Sequence, residues 1–525
     1  MESGAIRCYL LLSVSIRDLC GLQLLQLPTA ERTMLPTTTL RRPILLTLLL
    51  TLILALSFQG GRGLWGPDEG RYSNIALQMV ESGDWVTPRR HPDHTHFTKP
   101  PMIYWAIAAS VQAFGKNEFA LRLPNALSLF ASVLLLIALG RRLVPAAPWL
   151  PGLIFATSLV PFAAANWINT DYLLTVFESL AVLGFVHLWR SQDARDARRG
   201  RALMWIGFAL AFMTKGPPGL LPLLPILAFV YLPRTPAAKA SLRPRIFSIG
   251  SLLLFALIAF PWYLTEIIKH PGLLDYFLVE EVYGRVFTDM HDRSSGRFGV
   301  FKVFGPLVLV GMLPWAWVLW RRLPGIWRQR RSLRAWWHTL AAEDQFLLLW
   351  CILPGIVFAL ATSKMPLYLL PLLVPTALLI ARRLLPLDPM KIRRIMLCAG
   401  ISALVMLLGK AMVPLIPHEK DARDLAQLVR KEFRPVPAQI VFIDESAQYG
   451  LRFYLGAHVG RVALASQMDF SFDSTLADEL LQDESRVFIT KRTRVEPLNA
   501  ALLASGTRFH ERAALGRYVI GTIGP

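Results

Sequence analysis

The run "PILLTLLLTLILALSF", from Pro43 to Phe58, decides the class of fold because it contains no charged residue. An uninterrupted apolar run of this kind, with its flanking residues, is typical of a helix that crosses a membrane. The stretch "GLWGPDEGRYSNIA", from Gly63 to Ala76, follows it directly. The sequence therefore places two adjacent carboxylates, Asp68 and Glu69, at the mouth of a predicted membrane helix.

The composition of the whole chain also indicates a membrane protein. Of its 525 residues, 54% are hydrophobic and only 18% are charged, and the mean hydropathy is +0.43. This balance excludes an ordinary soluble enzyme of the same length. The formal net charge is +20, but the lysines and arginines lie between the apolar runs, where they act as topology signals. We therefore expect membrane lipids as partners and no nucleic acid.

Apolar segments recur along the chain at helical length. We predict about eleven spans, or about 11 to 13 membrane helices if the short segments are tilted pairs or half-helices. The fold class is therefore a polytopic α-helical membrane protein. The segments are 43–60, 119–139, 149–165, 172–189, 202–213, 217–232, 246–264, 302–320, 345–361, 367–381 and 395–416.

Basic residues alternate between the predicted loops and thereby predict the topology. Loops rich in lysine and arginine face the cytoplasm in bacterial membrane proteins. The loops on the opposite face hold most of the acids, with isolated lysines, aromatics and prolines, so we expect an external site beside the membrane. The basic loops carry Arg141 and Arg142, Arg190 to Arg201, Arg234 to Arg245, Arg321 to Arg334, and Arg382 to Arg394; the external loops are 61–118, 166–171, 214–219, 265–301, 362–366 and everything after Pro417.

The two ends of the chain differ from the apolar middle. Residues 1–33 contain only short apolar pieces broken by charges, whereas Met34 opens an ordinary amino terminus, so we expect translation to start at Met34. Residues 34–416 form the predicted membrane domain. Residues 417–525 read as a small external α/β domain, with strands at 438–444 and 485–491 and a helix at 419–433. We expect this domain to be a lid or a stabilising cap, with a catalytic role as the alternative.

The external loop 61–118 carries the first candidate site residues. Asp68 and Glu69 follow Pro67, and acids in the first turn are also what a plain helix start prefers. The same loop, however, contains Arg71 and Tyr72. It also contains "HFTKPPMIYW", in which a stiff proline segment can present Lys99 to a phosphate beside the membrane.

Several longer stretches of the chain resemble a known superfamily. "PDEGRYSNIALQMVESGDWVTP" and "TKPPMIYWAIAASVQAFGKNEFALRLPNAL" look like the first external loop of the bacterial aminoarabinose transferases and protein O-mannosyltransferases. The ordered series continues through "NTDYLLTVFESLAV", "AFMTKGPPGLLPLL", "FPWYL" and "SKMPLYLLPLL". The resemblance implies a GT-C membrane glycosyltransferase that uses a polyprenyl phosphate-linked sugar as donor, in the bacterial inner membrane with its active site on the periplasmic side.

The resemblance also implies roles for individual residues. Asp68 matches the general base of the superfamily's DE motif, with Glu69 as a supporting carboxylate on the acceptor side. Asp171 matches an acid near the same cavity. Lys215 matches a TKG motif, although a lysine that reaches the membrane interface explains this position equally well. Residues expected to hold the donor phosphate or sugar are Arg71, Tyr72, Lys99, Arg285, Lys364 and Tyr368, with Glu281 and Lys215 as further possibilities.

Two positions depart from the superfamily's pattern. The aminoarabinose branch has a Glu directly before the KPP lysine and a His in the loop of Arg285, a pair associated there with a bound metal. This chain has Thr98 and Glu281 at those positions, so a zinc site cannot be carried over and the cofactor stays unknown. The histidines of "RRHPDHTH" offer a local cluster, but loop histidines without acid or cysteine partners are usually solvated.

The expected chemistry is a single displacement with inversion. An acceptor hydroxyl or amine loses its proton to a carboxylate, and cations stabilise the departing phosphate. The acceptor stays open among lipid A, another envelope glycan and protein hydroxyls. Competing hypotheses are a lipid or glycan transporter and, more weakly, a structural membrane component. The scarcity of acids within the spans and the absence of a visible inverted repeat argue against a transporter.

Overall fold

The computed structural model describes residues 37–92, 94–232, 244–284, 299–321, 333–362, 364–416, 418–464, 474–476, 486–503 and 506–525. The predicted extension 1–33 and Arg285 lie outside these ranges. Within them the chain is mainly helical up to residue 416, and the rest forms a mixed sheet with three helices. We call the helical part the membrane region and residues 418–525 the C-terminal unit.

Most helices of the membrane region overlap the predicted apolar segments, and the helices at 68–82, 102–114, 273–275 and 333–339 lie in predicted loops. The helices are α1 Thr37–Leu56, α2 Asp68–Ser82, α3 Met102–Phe114, α4 Glu118–Leu143, α5 Leu150–Ala156, α6 Leu159–Ala165, α7 Asp171–Trp189, α8 Ala194–Lys215, α9 Leu223–Tyr231, α10 Ile249–Lys269, α11 Leu273–Asp275, α12 Gly299–Val310, α13 Trp317–Trp320, α14 Leu333–Thr339, α15 Ala342–Leu360, α16 Leu373–Leu384 and α17 Pro389–Met412. A π-helix covers Tyr276–Gly284, and 3₁₀ turns cover Pro217–Leu220, Pro366–Leu372 and Val413–Leu415.

Among the described residues, six helices are long and apolar enough to cross a membrane. The chain is therefore a multi-pass membrane protein. Its outward faces fit a lipid environment: on α17, Leu397, Ile401, Leu404 and Leu408 are all exposed and lie along one side of the helix. The six are Glu118–Leu143, Asp171–Trp189, Ile249–Lys269, Ala342–Leu360, Pro366–Leu384 and Pro389–Leu415.

Some predicted spans are broken in the structure, and the local residues explain why. The segment 149–165 divides into α5 and α6 at Thr157 and Ser158. Both hydroxyls donate back to carbonyls of the preceding turn, at 2.6 Å, and Ser158 adopts an extended backbone before α6 begins. Side chains that compete for backbone carbonyls in this way bend or end helices. A segment of helical hydropathy therefore does not guarantee one continuous helix.

Two helices of the external loop 61–118 pack on one another. Helix α2 begins with Asp68 and Glu69 in its first turn, and its C-cap Gly83 adopts the left-handed conformation, with φ of 75°. Helix α3 starts directly after Pro101. The core between these helices contains Tyr72, Ile75 and Tyr104, all buried. Between them, a small antiparallel hairpin pairs β1 Arg89–His91 with β2 His94–Thr95.

The C-terminal unit is a six-stranded sheet in the order β5-β4-β3-β6-β8-β7. Strands β3, β4, β5 and β6 run parallel, and β8 is antiparallel to both β6 and β7. Apolar clusters lie on both faces of the sheet. The elements are α18 Ala422–Glu432, β3 Gln439–Ile443, α19 Gly450–Leu455, β4 His458–Ala463, β5 Ser474–Thr475, β6 Arg486–Lys491, α20 Val495–Leu502, β7 Arg508–Leu515 and β8 Tyr518–Gly524.

Candidate active site

Asp68 keeps an accessible carboxylate at the start of α2. Its side chain is 35% exposed, and Oδ1 accepts a hydrogen bond from Arg71 Nη2 at 2.7 Å. The guanidinium of Arg71 also lies over the ring of Tyr72, 5.2 Å from its centroid. The ring of Tyr72 supports Arg71, and Arg71 in turn orients the carboxylate of Asp68.

Glu69 differs from the role expected for it, because its carboxylate faces no solvent. The side chain is fully buried and accepts two hydrogen bonds from Arg62, at 2.6 and 2.9 Å, and two from Arg122, both at 3.0 Å. The backbone N–H groups of Trp65 and Ile168 donate to the same oxygens at 2.9 and 3.2 Å. A carboxylate enclosed in this way cannot contact an acceptor, so Glu69 anchors the loop instead.

The electrostatics of Glu69 agree with an anchoring role. Burial alone would raise the pKa of this carboxyl, but the positive charges of Arg122 and Arg62 and their hydrogen bonds outweigh it and lower the pKa from 4.5 to about 2. Arg122 further donates to the carbonyls of Gln59, Arg62 and Gly63. The segment that leads into Asp68 is thereby tied to helix α4.

Asp171 and Lys215 form a second ion pair at the ends of two neighbouring helices. Asp171 opens α7 and Lys215 closes α8, and Lys215 Nζ donates to Asp171 Oδ1 at 2.5 Å. The ammonium also lies 4.1 Å from the centroid of the Tyr368 ring. Lys215 is only 9% exposed, so the ion pair and the ring account for its position better than a side chain that reaches toward the interface.

Tyr72 joins these two ion pairs into one site. Burial raises the pKa of its hydroxyl; the charges of Arg71 and Lys215 lower that pKa, and those of Asp68 and Asp171 raise it. All four charges are therefore within electrostatic range of this phenol. We call the set of six the charged cluster: Asp68, Arg71, Tyr72, Asp171, Lys215 and Tyr368.

Lys99 lies in the KPP segment directly before helix α3. Its Nζ donates to the carbonyl of Thr98 at 2.7 Å, and the two prolines that follow lead into α3. In that helix Tyr104 packs 5.9 Å from Tyr72, measured between ring centroids. The KPP segment thus leads into the helix that packs on α2 through these two rings.

Lys364 lies at an apolar groove of about 630 Å³. Helix α12 and Val160 form its walls, and Lys302 lies at the same groove. Lys364 is 7% exposed and donates to the carbonyl of Ala361 at 2.6 Å. Because Tyr368 stands one turn further along the chain, the groove and the charged cluster share the segment 364–368.

Of the two positions linked to a metal in the aminoarabinose branch, only Thr98 has a described side chain. The hydroxyl of Thr98 is 2.7 Å from Nε2 of His96, and the side chain of Glu281 lies outside the described part of the chain. His91 packs against His458, with ring centroids 4.8 Å apart. Within the residues that the structure describes, no group of three or more His, Cys, Asp or Glu side chains is arranged to hold a metal ion.

Sequence reasoning missed three residues near the site. Arg62 and Arg122 hold Glu69, and Glu178 is a buried acid of α7 within electrostatic range of Lys215 and Asp171. Arg122 and Glu178 each interrupt an apolar segment. A lone charge within a predicted span needs a partner, and this signal would have found both.

Known proteins resemble this chain in sequence and in structure. Residues 98–264 match the family described as dolichyl-phosphate-mannose-protein mannosyltransferase. An undecaprenyl phosphate-alpha-4-amino-4-deoxy-L-arabinose arabinosyl transferase of Proteus mirabilis strain HI4320 is 30% identical over 64% of this chain and 58% of its own length. A transferase of the same name from Pseudomonas fluorescens strain Pf-5 is 34% identical over 61% and 56%. The chain thus spans less than two thirds of these curated relatives.

The fold also matches a solved structure. The crystal structure of ArnT from Cupriavidus metallidurans bound to undecaprenyl phosphate superposes with a TM-score of 0.72. The match covers 91% of this chain and 97% of that one at 21% identity. This chain therefore has the same fold. Together, these similarities confirm the resemblance to the aminoarabinose transferase and O-mannosyltransferase superfamily that the motifs indicated.

Proposed function

We propose that this protein, which shares sequence and fold with that superfamily, is a membrane glycosyltransferase. It transfers a monosaccharide from a polyprenyl phosphate carrier to an envelope acceptor on the periplasmic face of the inner membrane. The observation that carries this proposal is the accessible, arginine-oriented carboxylate of Asp68 within the charged cluster. The alternating basic loops support the orientation, with the C-terminal unit as a periplasmic domain.

Asp68 is the general base in this mechanism. The acceptor O–H or N–H gives its proton to the carboxylate, and the acceptor atom forms a bond to the anomeric carbon of the sugar. At the same time the bond between that carbon and the phosphate oxygen breaks, and the electron pair leaves with the polyprenyl phosphate. Attack opposite to the leaving group inverts the anomeric centre.

Cations of the site stabilise the leaving phosphate. Lys99 and Lys364 are the lysines that we assign to this role, with Arg285 as a further residue outside the described ranges. A phosphate monoester anion is a good leaving group, so charge stabilisation suffices and a protonating acid is not required. We also assign Arg71 and Tyr72 to the binding site of the phosphate. The remaining members of the charged cluster, Asp171, Lys215 and Tyr368, are assigned to the binding site of the donor sugar.

The apolar groove at Lys364 suits a long hydrocarbon chain. Its volume of about 630 Å³ lies in the range of ligand pockets, and its walls are apolar apart from Lys302 and Lys364. A lipid phosphate fits this combination, because the chain occupies the walls and the anion meets the ammonium groups. We assign the carrier lipid to this groove.

Reconstitution of Asp68→Asn in lipid vesicles tests the function against the transporter alternative. With a polyprenyl phosphate-linked sugar and an envelope extract as acceptor, we expect wild-type protein to transfer sugar and Asp68→Asn to lose at least about 10²-fold, the size typical of a general base. Asp424→Asn, a carboxylate of the C-terminal unit, serves as the matched control. Movement of labelled lipid across the vesicle without any transfer by wild-type protein would contradict the proposal.

A further inference from the structure

We propose that the C-terminal unit is a positioning part of the active site, which holds helix α2, and therefore Asp68, through Arg452 and the contact of Gly70 with Gly450. This inference rests on the proposed role of Asp68 as base. It replaces the expectation of a lid or cap with a specific task. The contacts that support it lie on the face of α2 that carries Gly70, Asn74 and Glu81.

The first observation is a contact between backbones at the start of α2. A Cβ atom placed on Gly70 would lie 2.3 Å from the backbone nitrogen of Gly450 and 3.0 Å from its Cα. A Cβ atom on Gly450 would lie 2.9 Å from Cβ of Ala422. Only glycines allow the two segments to approach this closely. Because Gly70 is in the same turn as Asp68, the C-terminal unit touches α2 next to the base.

Arg452 is the second observation, since it contacts α2 at two levels. Its Nη2 donates to Glu81 at 2.6 Å, and its Nη1 donates to Oδ1 of Asn74 at 3.4 Å. Gly70, Asn74 and Glu81 are four and seven residues apart in turn, so they share one face of the helix. The side chain of Arg452 is only 11% exposed. It therefore fixes the rotation of α2 about its own axis.

The segment just before Asp68 is joined to the C-terminal unit by its backbone. Gly66 N–H donates to the carbonyl of Lys420, and Ala422 N–H donates to the carbonyl of Leu64, both at 2.9 Å. The hydroxyl of Tyr454 accepts from Leu64 N–H at 3.0 Å. A lid that opens would have to break these bonds together with the glycine contact. The geometry is that of a fixed support.

Helix α4 completes the support from the membrane side. Arg423 Nη2 donates to Glu118 at 2.6 Å, and the hydroxyl of Tyr454 donates to the same oxygen at 3.1 Å. Glu118 opens α4, which also carries Arg122, the partner of Glu69. Helix α2 is thus held from the membrane region through Glu69 and from the C-terminal unit through Gly70 and Arg452.

Transfer kinetics and amide hydrogen exchange of Arg452→Ala and Gly70→Ala test this inference. A displacement of about 1 Å at a reacting group can reduce turnover by about 10²-fold. We therefore expect kcat to fall at least about tenfold while the KM for the donor stays unchanged, and residues 68–82 to exchange faster. Arg452→Lys should restore part of kcat. If Arg452→Ala does not fold, Glu81→Gln tests the same ion pair, because it removes the negative charge that Arg452 contacts.

Matched controls separate positioning from a general loss of folding. Arg512 is exposed on β7, and nothing lies within 4 Å of a Cβ atom on Gly400 in α17, so Arg512→Ala and Gly400→Ala should leave kcat and exchange unchanged. Unchanged exchange of α2 in both test variants, or a loss of activity that only follows the folded fraction, would overturn the inference. Wild-type protein without transfer would contradict the proposed function instead, and the exchange data would still decide whether the C-terminal unit fixes α2.

Discussion

Two neighbouring acids of one helical turn have opposite environments. Successive residues of a helix point about 100° apart, so Asp68 and Glu69 face different surroundings although they are adjacent in the chain. Asp68 is 35% exposed next to one arginine, whereas Glu69 is fully buried between two. The exposed carboxylate of Asp68 is available for proton transfer, whereas the buried carboxylate of Glu69 anchors the loop.

Stability at acid pH should depend on Glu69. The pKa of Glu69 in the folded protein, about 2, lies below its ordinary value of 4.5. The contribution of Glu69 to the free energy of unfolding is therefore complete above about pH 4.5 and is lost as the pH falls toward 2. The shift corresponds to roughly 3 kcal/mol. Thermal unfolding in detergent between pH 6 and 3 should show this loss for wild-type protein.

The variant Glu69→Gln provides the comparison for that measurement. Removal of the anion leaves Arg62 and Arg122 buried without a counter-charge, which we expect to cost about 3–5 kcal/mol at neutral pH. The variant should therefore unfold at a lower temperature and lose less stability on acidification. Identical pH dependence in the two proteins would show that Glu69 is not the group responsible.

The motifs pointed to all six residues of the charged cluster, but the acceptor-side role expected of Glu69 does not agree with its buried position. The structure brings Asp68, Arg71, Tyr72 and Asp171 together. The motifs could not show that Glu69 is enclosed, because its partner Arg122 stands 53 residues further along the chain. Periodicity within α2 describes which residues share a face, not which element covers that face.

At the scale of elements, the helical hairpin of α7 and α8 brings Asp171 to Lys215. Glycines allow the two helices to approach closely, since a Cβ atom on Gly207 would lie 2.4 Å from the backbone nitrogen of Ala181. Antiparallel packing then places the start of α7 next to the end of α8. The ion pair is therefore a product of the hairpin, and hydropathy alone predicted only that two apolar segments exist.

Removal of Lys215 should be more harmful than removal of the whole ion pair. Lys215→Met leaves Asp171 buried without a counter-charge, at a cost of about 3–5 kcal/mol. The double variant Lys215→Met with Asp171→Asn should regain most of that stability but none of the transfer activity. Chemical unfolding with an activity assay measures both, and Lys391→Met, a half-exposed lysine, is the control. A double variant as unstable as the single one would contradict the pairing.

At the scale of the whole molecule, the C-terminal unit contacts the first external loop. Gly63 N–H donates to Asp421, a residue 358 positions later in the sequence. Composition indicated the separate C-terminal unit, and the structure forms strands at Gln439–Ile443 and Arg486–Lys491, within the predicted segments. Contacts between residues so far apart in the sequence leave no local pattern. The packing of the C-terminal unit against α2 could therefore not be predicted.

Asp68 is the proposed general base for sugar transfer to an envelope molecule, and mass spectrometry of envelope lipids, glycans and proteins tests this role most directly. A strain that lacks this protein would be complemented with wild-type, Asp68→Asn or Asp424→Asn protein at matched amounts in the membrane. We predict that one sugar modification is present with wild-type and Asp424→Asn protein and absent from the deletion strain and with Asp68→Asn. Restoration of the modification by Asp68→Asn would contradict the account.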